Sequence, residues 1–169
     1  MNDKAGKIKL LVMDVDGTLT DGTVFYSAEG EAMKRFSLRD GMGVELLRKA
    51  GIDAAIITSE NSKIVMKRAE KLKIEHVMLG SRNKKQSLLE LAGNLRLSTE
   101  QIAYIGDDVN DIQPMQTAGY SACPADSADE VKKAADYICR ANGGNGAARE
   151  FCELILKTQD KPVVLPESW

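Results

Sequence analysis

With 169 residues, 43% of them hydrophobic and 28% charged, the chain is sized for one α/β domain with a full core and is too short for two ordinary ones. A net charge of −2 with dispersed lysines and arginines offers no basic face for nucleic acid, and no apolar run nears the roughly 18 residues that cross a bilayer. Cys123, Cys139 and Cys152 are odd in number and widely spaced, which suits neither a disulfide framework nor a zinc site and predicts buried thiols in a reducing cytoplasm.

Asp3, Lys4, Lys7 and Lys9 interrupt any signal-peptide core, and the first regular element is an apolar strand over residues 8–13. It runs straight into Asp14-Val15-Asp16-Gly17-Thr18. Residues 23–36 then read as a β-hairpin inserted directly after this acidic turn. A helix follows over residues 41–50, with Asp40 as its expected N-cap and Gly51 as its stop. Next come a strand at 54–58 and a helix at 62–72, whose apolar stripe is Ile64, Val65, Ala69 and Leu72. A short strand at 76–79 and a helix at 85–95 lead to a strand at 102–105. This strand ends in a second acidic group, Gly106-Asp107-Asp108-Val109-Asn110-Asp111. A helix at 111–118 carries Pro114 near its start. Residues 120–123 and 137–139 read as short edge strands around a helix at 129–135, and a last helix covers 147–157. This alternation predicts a parallel sheet with helices on both faces, in a single domain over residues 1–160. The tail, 161–169, places Pro162 and Pro166 around Val163-Val164-Leu165, so it is no helix and is apolar enough to dock on something.

Carboxylates at the C-terminal ends of parallel strands converge on one crevice, and such a concentration of negative charge requires a cation or a proton. Asp14 and Asp16 follow the first strand, Thr58 ends the second, Lys84 opens the helix after the third, and Asp107 follows the fourth. They supply a nucleophile, an acid, a hydroxyl, a cation and a metal ligand, which fits phosphoryl transfer through a covalent aspartyl phosphate. An EF-hand is excluded, since Leu19 and Phe25 stand where its loop needs Gly and Glu. His76 is the only histidine, so a Ser-His-Asp or Cys-His mechanism has no support. A receiver-type signalling domain pairs similar groups, but it carries its phosphorylated Asp on a middle strand, whereas here nucleophile and acid share the first.

This ordered set resembles the haloacid dehalogenase-like phosphohydrolases over nearly the whole chain. The resemblance implies a Rossmann-like three-layer α/β sandwich with a small hairpin flap and no large cap domain. It implies that Asp14 attacks phosphorus, that Asp16 protonates the leaving alcohol and then deprotonates water, and that Thr58 and Lys84 hold the phosphoryl oxygens. It also implies that Mg²⁺ is bound by the carboxylates of Asp14 and Asp107 and by the backbone carbonyl of Asp16. Asp111 then anchors these groups from outside, and Asp108 either does the same or orients Lys84.

Within the capless branch, Arg39-Asp40-Gly41 and the run Gly143-Gly144-Asn145-Gly146-Ala147-Ala148-Arg149-Glu150 resemble the 3-deoxy-D-manno-octulosonate 8-phosphate phosphatases. Ser59-Glu60, where those enzymes usually have Gly-Arg, looks more like the nonulosonate 9-phosphate branch, and Asn145 stands where they tend to have Arg. The pattern favours the eight-carbon substrate. Ser59 and Glu60 then border the phosphate, and Lys34, Arg39 and Arg149 are the candidates for the substrate carboxylate at the mouth. Gly143–Gly146, ahead of a helix, is either a turn or an anion-binding loop. Capless relatives form tetramers in which a neighbour's hairpin or tail closes the site, so a homotetramer is implied. Similar domains are fused to acylneuraminate cytidylyltransferases, which makes a non-catalytic regulatory or oligomerisation domain the alternative of another class.

Overall fold

Strand β1 (Leu10–Met13) is buried along its whole length in the computed structural model, which describes residues 3–165. Its side chains alternate between two hydrophobic cores, Leu11 and Met13 on one face and Leu10 and Val12 on the other. β4 (Asp53–Ile57) and β6 (Ile102–Ile105) flank β1 in parallel and repeat the pattern: Ile56, Ala103 and Ile105 face one core, Ala55, Ile57, Ile102 and Tyr104 the other. With β5 (His76–Met78), β7 (Tyr120–Cys123) and β8 (Tyr137–Ile138) they form a six-stranded parallel sheet in the order β5-β4-β1-β6-β7-β8. Helices α1 (Leu38–Lys49), α2 (Lys63–Leu72) and α6 (Ala147–Thr158) cover the first face. Helices α3 (Lys84–Leu95), α4 (Ile112–Thr117) and α5 (Asp129–Ala134) cover the second. The result is a three-layer α/β sandwich.

Two expectations need correction. β7 is fully buried between β6 and β8 and is no edge strand, because β8 pairs with its outer side. Asp40 is not an N-cap. Ser37 caps α1, its hydroxyl accepting from the N–H groups of Arg39 at 3.1 Å and Asp40 at 3.3 Å, and this leaves Asp40 inside the first turn and buried.

The hairpin, β2 (Thr20–Ser27) and β3 (Gly30–Phe36), is all that separates the first acidic turn from α1. Its pairing steps from Phe25 opposite Met33 to Tyr26 opposite Glu31, which leaves Ala32 as an extra residue and makes a β-bulge. In a regular strand, residues three apart face opposite ways; the bulge shifts that parity and puts Glu31 and Lys34 on the same face. Ala32 and Met33 both point outward.

The tail leaves α6 near the end of α1. Lys161 Nζ donates to the Ala50 carbonyl at 2.7 Å, and Val163 and Leu165 pack on the first core. Ala50 precedes β4, so this contact sits below the N-terminal ends of the strands. Residues 166–169, including Pro166, lie outside the described residues.

Candidate active site

The central strands deliver the acidic and hydroxyl residues to one end of the sheet. Asp14 follows β1 directly, Thr58 follows β4, and Asp107 follows β6 after Gly106. The ladder continues past the strands, the Asp14 N–H donating to the Ile105 carbonyl at 3.0 Å, so Asp14 is set beside the loop that carries Asp107. The turn after Asp16 needs glycine twice over. Gly17 has φ +90°, and a Cβ there would lie 2.0 Å from Asp107 Oδ2. Thr18 Oγ1 donates to Asp107 Oδ1 at 3.0 Å and closes the two loops together.

Lys84, the first residue of α3, enters from the side with its side chain only 1% exposed. Its Nζ donates to Asp14 Oδ1 and to Asp111 Oδ1, each at 2.7 Å. Asp111 accepts further from Tyr104 Oη at 2.7 Å and, through Oδ2, from the N–H groups of Asp107 at 3.1 Å and Asp108 at 3.4 Å. Asp111 is therefore the buried post on which Lys84 is hung. Asp108 does not orient Lys84: it is exposed, and its Oδ1 accepts from the Val109 N–H at 2.7 Å as the cap of a short 3-10 turn.

Burial and the neighbouring Asp111 charge hold Asp14 well above the usual carboxylate range, although Lys84 pulls the other way. The same two causes push Asp107 up to about 6. Burial pushes Lys84 down, but Asp14 and Asp111 outweigh it and keep it charged. Tyr104 is raised far enough by burial and by Asp111 to remain a donor.

One carboxylate oxygen from each of Asp14, Asp107 and Asp111 lies within 4.8 Å of the others. Asp111 already serves four donors, so Asp14 and Asp107 are the acids left to take a cation. Two hard oxygen donors, raised in pKa by burial and by Asp111 and faced by Lys84, fit a small oxygen-seeking divalent ion such as Mg²⁺.

Asp16 meets the flap. Lys34 Nζ donates to Asp16 Oδ1 at 2.5 Å and to Glu31 Oε1 at 2.9 Å, and its side chain is 1% exposed. Glu31 in turn accepts from the hydroxyl of Ser62, the N-cap of α2. Lys34 is thus buried on Asp16 and does not stand open at the mouth.

Thr58 is buried, and its Oγ1 accepts from the Glu60 N–H at 3.3 Å, which leaves its O–H to donate elsewhere. Ser59 Oγ donates to the Ser81 carbonyl and accepts from Asn110 Nδ2 at 3.2 Å, tying the second loop to the fourth. Glu60 and Arg39 are exposed. Arg149 is turned along α6, its Nε donating to Glu153 Oε1 at 2.6 Å, and no contact brings it to Asp14.

The glycine-rich segment is not an open anion-binding loop. The Gly144 N–H donates to the Thr18 carbonyl and the Gly143 N–H to Asp126; a Cβ on Gly143 would lie 1.8 Å from the Gly17 carbonyl oxygen. The start of α6 is filled from within: the N–H groups of Gly146 and Arg149 donate to the buried Asp40 carboxylate at 3.3 and 2.9 Å. The two segments that carried the branch resemblance are therefore in contact through Asp40, and together they brace the turn after Asp16.

Tyr104, Glu31 and Asn110 were not foreseen as members of the site. Tyr104 had a signal, since a phenol inside an aliphatic buried strand must find a partner. Glu31 depends on the bulge and Asn110 on loop packing, which the local sequence does not display.

Residues 47–151 match the family model of the haloacid dehalogenase-like hydrolases. Among curated proteins, the 3-deoxy-D-manno-octulosonate 8-phosphate phosphatase KdsC of Yersinia pestis is 42% identical over 158 residues, 94% of this chain and 84% of that one. The protein of the same name from Escherichia coli K12 is 40% identical over the same shares. Among solved structures, the cobalt-bound phosphatase of Haemophilus influenzae superposes with a TM-score of 0.91 at 39% identity, over 93% of this chain and 92% of its own. The Moraxella catarrhalis enzyme, solved with magnesium, phosphate and KDO, gives 0.91 at 42% identity, over 94% and 91%.

Proposed function

The chain belongs to the haloacid dehalogenase-like hydrolases, and we propose on that footing that it is a Mg²⁺-dependent phosphomonoesterase cleaving 3-deoxy-D-manno-octulosonate 8-phosphate to KDO and phosphate. The observation that carries the reading is the buried Lys84 bridge between Asp14 and Asp111 beside Asp107, in a chain alike to octulosonate phosphatases over 94% of its length.

Asp14 forms a bond to phosphorus while the bond from phosphorus to the sugar oxygen breaks. Asp16 gives its proton to that departing oxygen, then takes one from the water that attacks the aspartyl phosphate and returns Asp14 as a carboxylate. Lys84 neutralises charge on the phosphoryl oxygens and Thr58 donates its hydroxyl to them. Mg²⁺, held by the carboxylates of Asp14 and Asp107 and the main-chain carbonyl of Asp16, would screen the repulsion between the attacking carboxylate and the phosphate dianion. Ser59 and Glu60 border the phosphate pocket, and exposed Arg39 is the remaining candidate for the substrate carboxylate.

An uncapped site leaves substrate open to water, so the working form in this reading is a homotetramer in the cytoplasm, where Cys123, Cys139 and Cys152 stay reduced. The outward Phe25, Tyr26 and Met33 of the flap, between 53% and 73% exposed, are surface for a neighbour. The tail starts at the opposite end of the strands from Asp14, which suits closure of another subunit's site.

The test is phosphate release from the eight-carbon ulosonate 8-phosphate, a nine-carbon ulosonate 9-phosphate and generic esters. The highest kcat/KM is expected on the first. A higher value on the nine-carbon substrate would reassign the sugar, and no turnover of any ester with Mg²⁺ would overturn the phosphatase reading. Sedimentation of a fully active, selective monomer would refute the tetramer.

A further inference from the structure

Asp16 has two oxygens in different situations. Oδ1 accepts from Lys34 Nζ at 2.5 Å. Oδ2 is buried and has no hydrogen-bond partner among the described residues. An unpartnered buried carboxylate oxygen is costly, and such an atom two residues after the proposed nucleophile calls for a functional account. Lys34 is an ammonium with donors and no acceptor, so no proton sits on the oxygen it faces. Oδ2 is the oxygen left open to a reacting group.

Resting on the phosphatase reading above, we infer that Lys34 is a positioning residue for Asp16, held by Glu31 and Ser62, which makes Oδ2 the oxygen that exchanges protons with the leaving group and with water. The hold is built into the flap. The bulge at Ala32 turns Glu31 and Lys34 to the same face, Glu31 takes Lys34 Nζ at 2.9 Å, and the Ser62 hydroxyl fixes the other oxygen of Glu31. A lysine carries much rotamer freedom, and without these two partners it would not keep one geometry on Asp16. The arrangement also accounts for a lysine side chain that is 1% exposed on an otherwise solvated hairpin.

The experiment exploits the leaving group. The value of kcat/KM reports steps through the first irreversible one, cleavage of the ester. p-Nitrophenolate departs without a proton, whereas an alkoxide needs one from Asp16. Lys34→Met should lower kcat/KM for a simple alkyl phosphate at least tenfold more than for p-nitrophenyl phosphate. Lys34→Arg, which keeps charge and donors, should restore most of the difference; Glu31→Gln and Ser62→Ala should reproduce it in weaker form. Equal losses on both esters would overturn the inference by marking Lys34 as merely structural. A loss confined to carboxylate-bearing substrates would overturn it by marking Lys34 as a substrate ligand. Wild-type protein inert towards these esters and towards the ulosonate phosphates alike would remove the phosphatase reading and the inference with it, an outcome distinguished by the wild-type rates alone.

Discussion

In the absence of metal the acidic site should make the protein less stable as pH rises. An acid whose ordinary pKa is 3.8 and which sits at about 6 in the fold keeps a proton that the unfolded chain has already lost between about pH 4 and 6. Its contribution is whole below about pH 4 and drains away as pH climbs through about 6. Full ionisation of Asp107 then costs about 3 kcal/mol, and for a chain of this size about 6–12 °C of melting temperature. Asp14 acts in the same direction, because burial and Asp111 raise it too. The assay is calorimetry in EDTA at pH 5.0 and 7.5, on wild type and on Asp107→Asn, which keeps an acceptor for Thr18 and removes the charge. Wild type should melt lower at pH 7.5 than at pH 5.0, Asp107→Asn should melt higher than wild type at pH 7.5, and Mg²⁺ should rescue wild type alone. A wild-type melting point in EDTA that is flat or rises with pH, or an Asp107→Asn protein less stable than wild type at pH 7.5, would refute the electrostatic account.

Lys84→Met leaves Asp14 and Asp111 without their shared cation and should cost roughly 3–5 kcal/mol in urea unfolding at pH 7.5, with the loss shrinking when Asp111 is also made Asn. Gly17→Ala should reduce turnover by more than about 100-fold and raise the Mg²⁺ concentration needed for half-activity, since its methyl group would displace Asp107; unchanged Mg²⁺ titration would argue against that contact. Asp40→Ala strips acceptors from two N–H groups at the start of α6 and should lower stability by roughly 2–4 kcal/mol, read from the urea midpoint. Asp14→Asn should abolish turnover while leaving the circular dichroism spectrum unchanged, because an amide cannot form the acyl phosphate.

What could be read from residues alone was the set of strand ends. Apolar runs that stop abruptly at Asp14, Thr58 and Asp107 are local patterns, and a parallel sheet gathers their ends by topology. Lys84 was legible through its place ahead of a helical stripe, yet its partner was not: Asp108 and Asp111 differ by three positions in one acidic loop, and only the 3-10 turn decides which one points inward. Asp40 misled for a related reason. It has the composition of an N-cap, but Ser37 stands earlier and takes that role, freeing the carboxylate to cap a helix more than a hundred residues away. Lys34 reads from the sequence as a candidate for the substrate carboxylate at the mouth; its hold on Asp16 and Glu31 depends on a bulge that the local pattern does not display.

The bulge makes the flap sensitive to its length in an uneven way. Removing Ala32 would leave Glu31 and Lys34 two apart in a regular strand, still on one face and still opposite Tyr26 and Val24. Residues added at the hairpin tip, between Ser27 and Gly30, would leave that parity untouched. Loss of Ala32 alone should therefore spare the Glu31–Lys34 contact, whereas loss of Ala32 and Met33 together would make the two residues neighbours on opposite faces and should break it.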